Sequence, residues 1–471
     1  MFSKLTAALF IATGLTPLAA VESKRPNIVV ILCDDLGYGD LECYGHPHIK
    51  TPHLNRMADE GIRFTDFYSA APVCSPSRVG LLTGRSPNRA GIYDFIPGGR
   101  NIYMQASEVT FPQLLQKAGY ATCMSGKWHC NGKFNSGSQP QPDAAGFDHW
   151  FGTQNNASPS HENPNNFVRN GEKVGKLEGY SCQLVADEAL NWLSKQQESE
   201  PEQPFFMYVA FHEPHEPVAS PKELVEQYKD VSKNEDEAQY FANVANVDAA
   251  VGKVLAALKE KGLDENTLVI FTSDNGPETL KRYSRAQRSY GVADPLRGMK
   301  LWTTEAGFRV AGIMRWPSKI AAGQTVKHPV SSLDFFPTFC DLSGIEPPTD
   351  LQLDGTNFLP ALENKPLQRK HPLLWVFYNA INERRVAMRD GDWKVMAKLN
   401  IGKYVTVTTD DEELVKSATL SDFQLFLMTD DIGESNDLSK NHPEKLEELK
   451  QRLEVQYREL VDDSHIWESK K

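Results

Sequence analysis

The chain has 471 residues, 40% of them hydrophobic and 24% charged, enough to bury one large core and a smaller one. Lys plus Arg number 50 against 62 Asp plus Glu, and the formal net charge of −12 argues against nucleic acid or an anionic membrane surface as a partner. Seven scattered cysteines, Cys33, Cys43, Cys74, Cys123, Cys130, Cys182 and Cys340, exclude a scaffold built from disulfides and leave at least one thiol over; Cys123 and Cys130 could pair or stay apart.

Residues 1–20, MFSKLTAALFIATGLTPLAA, set Lys4 before an apolar run and then small residues, the pattern of a cleaved signal peptide, with an N-terminal membrane anchor as the alternative. No later run approaches the roughly 20 apolar residues of a spanning helix, so the expectation is an exported protein, periplasmic or secreted, without stable membrane insertion. NIVVIL at 27–32 reads as a strand covered on both faces, running into Asp34-Asp35. Thr51-Pro52 opens a helix with Leu54, Met57 and Ala58 on one face, closed by Gly61. Pro76 breaks the chain locally and predicts a helix from Ser77, so Cys74 stands just ahead of a helix N-terminus, where positive charge favours an anionic nucleophile.

YATCM at 120–124 is a weaker strand that delivers Lys127 and His129. Leu184, Val185, Ala189, Trp192 and Leu193 form a helical stripe, and 240–258 forms a longer one. FFMYVAF at 205–211 leads to His212 and His215, and LVIF at 268–271 leads to Asp274-Asn275. This alternation predicts an α/β core, and four strands ending in polar clusters predict one shared site beyond their carboxyl ends. After about Pro366 the character changes. Residues 373–378, 386–389 and 393–396 read as short strands, the last two joined around Asp390-Gly391, and Leu446, Leu449, Leu453 and Leu460 fall at helical spacing. The expected organisation is a leader at 1–20, a catalytic domain at 21–366, and a C-terminal subdomain at 367–471 made of a small antiparallel sheet with one packed helix.

Asp34, Asp35, Asp274 and Asn275 make an all-oxygen donor set, suited to a hard divalent cation, Ca²⁺ before Mg²⁺, rather than to zinc. Each pair alone is common in turns and helix caps; two pairs at the ends of central strands favour a metal. Arg78, Lys127, His129, His215 and Lys300 would surround that cation and, in an acidic protein, make a pocket for a sulfate or phosphate ester. His212 fits either a supporting position behind the site or a substrate contact. An unmodified Cys74 would set a soft thiolate beside a hard metal, a poor match.

CSPSR followed by LLTGR resembles the formylglycine-dependent sulfatases of the alkaline phosphatase superfamily, in which the cysteine of C-x-P-x-R is oxidised to an aldehyde. The likeness continues through CDDLGYGD at Cys33, GKWH at Gly126, PHEP at Pro214, TSDNG at Thr272 and RGMKLWTTEAGFRV at Arg297, over nearly all of the chain after the leader. It implies a large mixed, mostly parallel sheet sandwiched between helices, with a smaller C-terminal antiparallel sheet and helix. It also implies that Cys74 becomes formylglycine through a formylglycine-generating maturation enzyme. The hydrated aldehyde then attacks sulfur with one hydroxyl and expels sulfate through the other. By the same resemblance Asp34, Asp35, Asp274, Asn275 and the modified Cys74 hold Ca²⁺, Arg78 activates the gem-diol, and Lys127 and Lys300 bind sulfate oxygens. His129 is the base for the collapse and His215 protonates the leaving oxygen. The sequence departs from the family pattern at Glu305-Ala306-Gly307, where Glu-Gly-Gly is usual, and Asn156 stands where some relatives carry a serine or histidine near the sulfate.

Residues 278–297 carry Lys281, Arg282, Arg285, Arg288 and Arg297 with Tyr283 and Tyr290, and read either as a grip on a sulfated polysaccharide or as a solvated basic loop. Three functions follow: a sulfatase acting on a sulfated carbohydrate, a phosphodiesterase or phosphonate monoester hydrolase of the same superfamily, and a catalytically silent sulfoglycan-binding protein.

Overall fold

The computed structural model describes residues 24–469, so the leader expected at 1–20 lies outside the described residues. The main sheet is assembled from β1 (Asn27–Asp34), β2 (Ile62–Tyr68), β3 (Ala121–Lys127), β4 (His149–Thr153), β5 (Val168–Arg169), β6 (Glu172–Lys173), β7 (Phe205–Pro214), β8 (Thr267–Ser273), β9 (Arg309–Arg315), β10 (Gln324–Val326) and β11 (Val330–Ser331). Their order is β10-β2-β9-β8-β1-β7-β3-β4-β5-β6, with β11 beside β2. The central strands β8, β1, β7, β3 and β4 are parallel, and β9 runs antiparallel between β2 and β8.

Both faces of the sheet are covered, which is why its strands read as unbroken apolar runs. In β1, Val29, Ile31 and Cys33 enter one core with α1 (Pro52–Asp59), α4 (Ser181–Ser199) and α5 (Glu235–Glu260). Ile28, Val30 and Leu32 enter the opposite core, built with α2 (Cys74–Thr83), α3 (Phe111–Lys117) and the helix Phe335–Ser343. Burying one such side chain contributes roughly 1.5–3 kcal/mol, so a polar residue in either series would destabilise the sheet. Cys123 lies in the first core and Cys130 in the second, and all seven cysteines are unpaired. The sheet itself separates that candidate pair.

Helix α5 is long and apolar enough to cross a membrane, against the sequence expectation, but it is the core helix of this layer and is mostly buried. Its Asp248 also caps α1, accepting from the amides of His53 (3.2 Å) and Leu54 (2.8 Å), while the side chain of Thr51 makes no capping bond.

The smaller sheet has four antiparallel strands, Leu373–Val376, Arg385–Asp390, Trp393–Asn400 and Thr419–Leu427, in that order. One face holds the C-terminal helix Pro443–Asp462 through Leu449, Leu453, Tyr457 and Leu460. The other packs Leu373, Trp375, Ala387, Met396 and Phe426 against Tyr68 and Phe308 of the main unit. At this junction Lys394 is fully buried between Glu305 (2.7 Å) and Glu434 (2.6 Å). Burial opposes ionisation of both carboxyls, but Lys394 and Arg309 hold Glu305 down at about 2, whereas burial and the Glu305 charge push Glu434 up.

Candidate active site

Because β3, β7, β1 and β8 are parallel, their carboxyl ends open on one edge of the sheet. Asp34 is the last residue of β1, Lys127 the last of β3, and Asp274 follows β8, its amide bonded to the Cys33 carbonyl at 3.0 Å. Asp35 and His129 adopt φ of 64° and 54°, a region that costs a non-glycine residue roughly 1–3 kcal/mol. Main-chain contacts hold both bends: the Asp35 amide meets Asp274 Oδ1 at 3.3 Å, and the His129 amide meets the Gln154 carbonyl at 2.8 Å.

Three buried carboxylates face three buried cations, one to one. Lys127 Nζ meets Asp34 Oδ2, Arg78 Nη2 meets Asp274 Oδ2 at 2.8 Å, and Lys300 Nζ meets Asp35 Oδ2 at 2.7 Å. By itself this cluster is charge-balanced, and the anion pocket expected from the sequence is one formed around a bound cation. Burial opposes ionisation of Asp34, but Lys127, then His215, Arg78 and Lys300, outweigh it and hold the carboxyl well below the usual range. Burial and then repulsion from Asp34 push Asp274 up to about 7 despite Arg78.

Asn275 donates through Nδ2 to Asp35 Oδ1 at 2.7 Å, which leaves its Oδ1 buried without a partner; Asp34 Oδ1 is likewise unpartnered. Asp34, Asp35 and His215 each offer an atom within 4.8 Å of the others. Two orphaned oxygens beside crowded carboxylates fit a hard divalent cation.

Cys74 is the first residue of α2, so the helix starts three residues earlier than its sequence predicts. Pro76 sits inside the first turn, where amides have no partner within the helix, and its missing N–H costs nothing there. Cys74 is 2% exposed and packs with Val73, Leu301, Phe377 and Ala380, the last two from the C-terminal subdomain. Burial pushes its thiol up to about 11, although Lys127 and Lys300 pull the other way. The helix terminus does not make Cys74 a thiolate.

His129 Nε2 lies 3.1 Å from the Ile96 carbonyl, which fixes Nε2 as the donor and leaves Nδ1 buried with no partner. Burial, then Lys127 and Arg78, hold this ring well below the usual histidine range, so it is neutral. His215 donates from Nδ1 to the Glu216 carbonyl at 2.8 Å and turns Nε2 toward Asp35 at 3.6 Å. Burial and Lys300 lower it to about 4.

His212 bonds to Thr153 Oγ1 at 2.8 Å and packs edge-on against Phe167, with no hydrogen bond to the cluster. Nε2 thus ties it to the end of β4, while its Nδ1 is buried without a partner. Asn156 follows β4; its carbonyl accepts from Asn166 at 2.9 Å, its side-chain oxygen is buried without a partner, and no bond joins it to the cluster. Thr153 and the Ile96 carbonyl escaped the sequence reading, since neither lies in a charged motif and a carbonyl has no residue-type signal. In the 278–297 segment, Arg282 is tied to Glu278 and Arg288 to Asp236 (3.2 Å), so Arg285 is the exposed arginine there with no ion pair among the described residues.

Residues 26–345 match the family model described as Sulfatase. The chain belongs to the sulfatase family. It is thus a sulfuric ester hydrolase by descent, and residues 299–462 of this sulfatase match a second model, N-sulphoglucosamine sulphohydrolase, C-terminal. It is 39% identical to N-acetylgalactosamine-6-sulfatase of Rattus norvegicus over 75% of this chain and 68% of that protein. It is 34% identical to human arylsulfatase A over 91% of this chain and 87% of the relative. Among solved structures, Ps i-CgsB in complex with k-i-k-neocarrahexaose superposes with a TM-score of 0.80 at 30% identity, covering 95% of each chain.

Proposed function

We propose that this sulfatase hydrolyses a sulfate ester on a carbohydrate, with Cys74 converted to formylglycine and Ca²⁺ held at the strand ends, releasing inorganic sulfate and an alcohol. The observation that carries the reading is the one-to-one pairing of Asp34, Asp35 and Asp274 with Lys127, Lys300 and Arg78 around Cys74. Asp34, Asp35, Asp274 and Asn275, with the modified Cys74, would hold the cation, which neutralises the carboxylates and leaves the guanidinium and ammonium groups for an anion. The formylglycine supplies an oxygen nucleophile and a second hydroxyl, which together let sulfate leave with return of the aldehyde.

The remaining work falls to the chain's own side chains. Arg78, fixed by Asp274 and by the Lys127 carbonyl at 2.9 Å, orients the nucleophile. Lys127 and Lys300 draw the ester oxygens to the strand ends. His129 takes a proton at its free Nδ1. His215 presents Nε2 to the leaving oxygen, and an arriving anion offsets the Lys300 charge that depresses its basicity. Asn156 stays in the proposal as a substrate contact, its unpartnered amide oxygen suited to accept from a sugar hydroxyl; His212 holds Thr153 through Nε2 and keeps an unpartnered Nδ1 for a substrate contact.

The proposal extends to export through residues 1–20, to a maturation enzyme as partner, and to a division at 366/367 between catalytic domain and C-terminal subdomain. Release of sulfate from a panel of sulfated oligosaccharides, beside matched phosphate esters, tests it; faster turnover of the phosphate esters would move the assignment to a phosphoester hydrolase.

The pairing also makes a binding prediction. Stripped of divalent metal, the protein should bind inorganic sulfate at least about tenfold more weakly than with saturating Ca²⁺, by the linkage between two ligands that share one charge-balanced site. Calorimetric titration of sulfate with and without Ca²⁺ measures this. Equal affinities would mean that the carboxylates are not the cation site.

A further inference from the structure

The ring of His215 is held by the next residue in the chain. Its Nδ1 donates to the Glu216 carbonyl at 2.8 Å, so the direction of Nε2 follows the position of residue 216. On the upstream side, β7 is fixed by the Glu213 carboxylate, which accepts from the Cys182 amide at the start of α4 at 2.9 Å. On the downstream side, the Pro217 carbonyl accepts from the His161 amide at 3.3 Å and the Ala219 carbonyl from Asn243 Nδ2 at 3.1 Å. Residue 216 lies between these anchors and carries a carboxylate of its own.

Glu216 is 4% exposed, and its side chain reaches across to the connection that leaves Asn275 and returns at Lys300. Oε1 accepts from the Arg288 amide at 3.0 Å and from Ser289 Oγ at 3.1 Å, while Oε2 accepts from the Val218 amide at 3.3 Å. The Arg288 guanidinium goes to Asp236 at 3.2 Å and to the Val218 carbonyl at 2.5 Å, so this buried carboxylate has no ion pair among the described residues. Its partners sit on a firm support. The connection is closed at its base by the Lys300 amide on the Pro277 carbonyl at 2.9 Å, and just beyond Ser289 the Val292 amide donates to Asp40 Oδ1 at 2.8 Å. A buried carboxylate that lacks a counter-ion is costly to keep, and here each of its bonds fixes the backbone around His215.

We infer that Glu216 is a positioning residue for His215: by pinning the turn to Arg288 and Ser289, its carboxylate holds the imidazole on the leaving oxygen. This deepens the sulfatase reading and rests on the role that reading gives His215. Glu216 touches no reacting atom. Its effect therefore belongs to the step in which the alcohol leaves, and it should matter in proportion to how much that alcohol needs a proton.

The test uses matured full-length protein with Glu216→Ala, Glu216→Gln and Ser289→Ala, and His215→Ala as reference. Each is given a sulfated oligosaccharide that the parent hydrolyses, whose alcohol leaves poorly without a proton, and 4-nitrophenyl sulfate, whose phenolate leaves without one. The readout is kcat/KM, which includes the step that breaks the ester bond. Glu216→Ala should lower it about tenfold or more on the oligosaccharide and about threefold or less on the aryl ester, the same selectivity as His215→Ala. Glu216→Gln keeps the acceptor oxygen and should stay within about threefold of the parent on both esters. If thermal melting shows that Glu216→Ala does not fold, Ser289→Ala carries the comparison, with an expected loss about threefold greater on the oligosaccharide than on the aryl ester. Equal losses on the two esters, no loss on either, or a glutamine as damaging as alanine would overturn the inference while His215→Ala remains selective. A His215→Ala variant that loses both esters alike would instead overturn the acid role of His215, and this inference with it.

Discussion

Cys74→Ala, produced beside a competent maturation enzyme, loses sulfate-ester turnover by about 10⁴-fold or more, the scale expected when a covalent nucleophile is removed. The fold should survive, because the Cys74 side chain fills a small apolar contact with Val73, Leu301, Phe377 and Ala380 and its thiol is un-ionised. Cys74→Ser is the more informative partner. Serine supplies an oxygen nucleophile but lacks the second hydroxyl, so it should also fail in steady turnover. Rates of released sulfate, read beside unchanged thermal melting of both variants, measure this; activity retained in Cys74→Ala would remove Cys74 from the chemistry.

Lys394→Met should destabilise the protein by about 3–5 kcal/mol, the cost of leaving buried carboxylates without their counter-ion. Lys394 is fully buried, 2.7 Å from Glu305 and 2.6 Å from Glu434, and its ammonium lies 4.6 Å from the centre of the Phe308 ring. Methionine fills similar volume, so the loss would report charge rather than a cavity. Adding Glu434→Gln to Lys394→Met should recover part of it, since one of the stranded charges is then gone. Urea unfolding of the three proteins decides. A loss below about 1 kcal/mol would show that the buried pairing does not hold the two sheets together. The consequence reaches function, because the same subdomain places Phe377 and Ala380 against Cys74.

The central strands were legible in the sequence because both faces of the sheet are covered, leaving β1, β7 and β8 almost wholly apolar until they meet the site. The residues of the cluster were legible jointly rather than singly: one charged pair is common in turns and caps, but several apolar runs ending in polar clusters point to one site, while Cys74 and Arg78 were legible through the C-x-P-x-R resemblance. The start of α2 was misread because proline is a breaker in a helix interior but harmless in the first turn, and sequence alone does not say which applies to Pro76. The strand Thr419–Leu427 escaped notice because it is a half-exposed edge whose polar residues blur any alternation. Nothing in the short strand read at 393–396 singles out Lys394, and only the position of Glu305 and Glu434, far away in sequence, explains its burial. The matched pairing of three cations with three carboxylates is a property of space rather than of any motif, and no sequence pattern announces it.

Mass spectrometry of the tryptic peptide spanning residues 64–78, from protein made with a competent maturation enzyme, tests the central claim most directly. Loss of H₂S and gain of one oxygen at Cys74 is the predicted result, matching conversion of the thiol carbon to an aldehyde. An intact thiol under those conditions would contradict the proposed nucleophile and leave a buried, un-ionised cysteine with no part in the reaction.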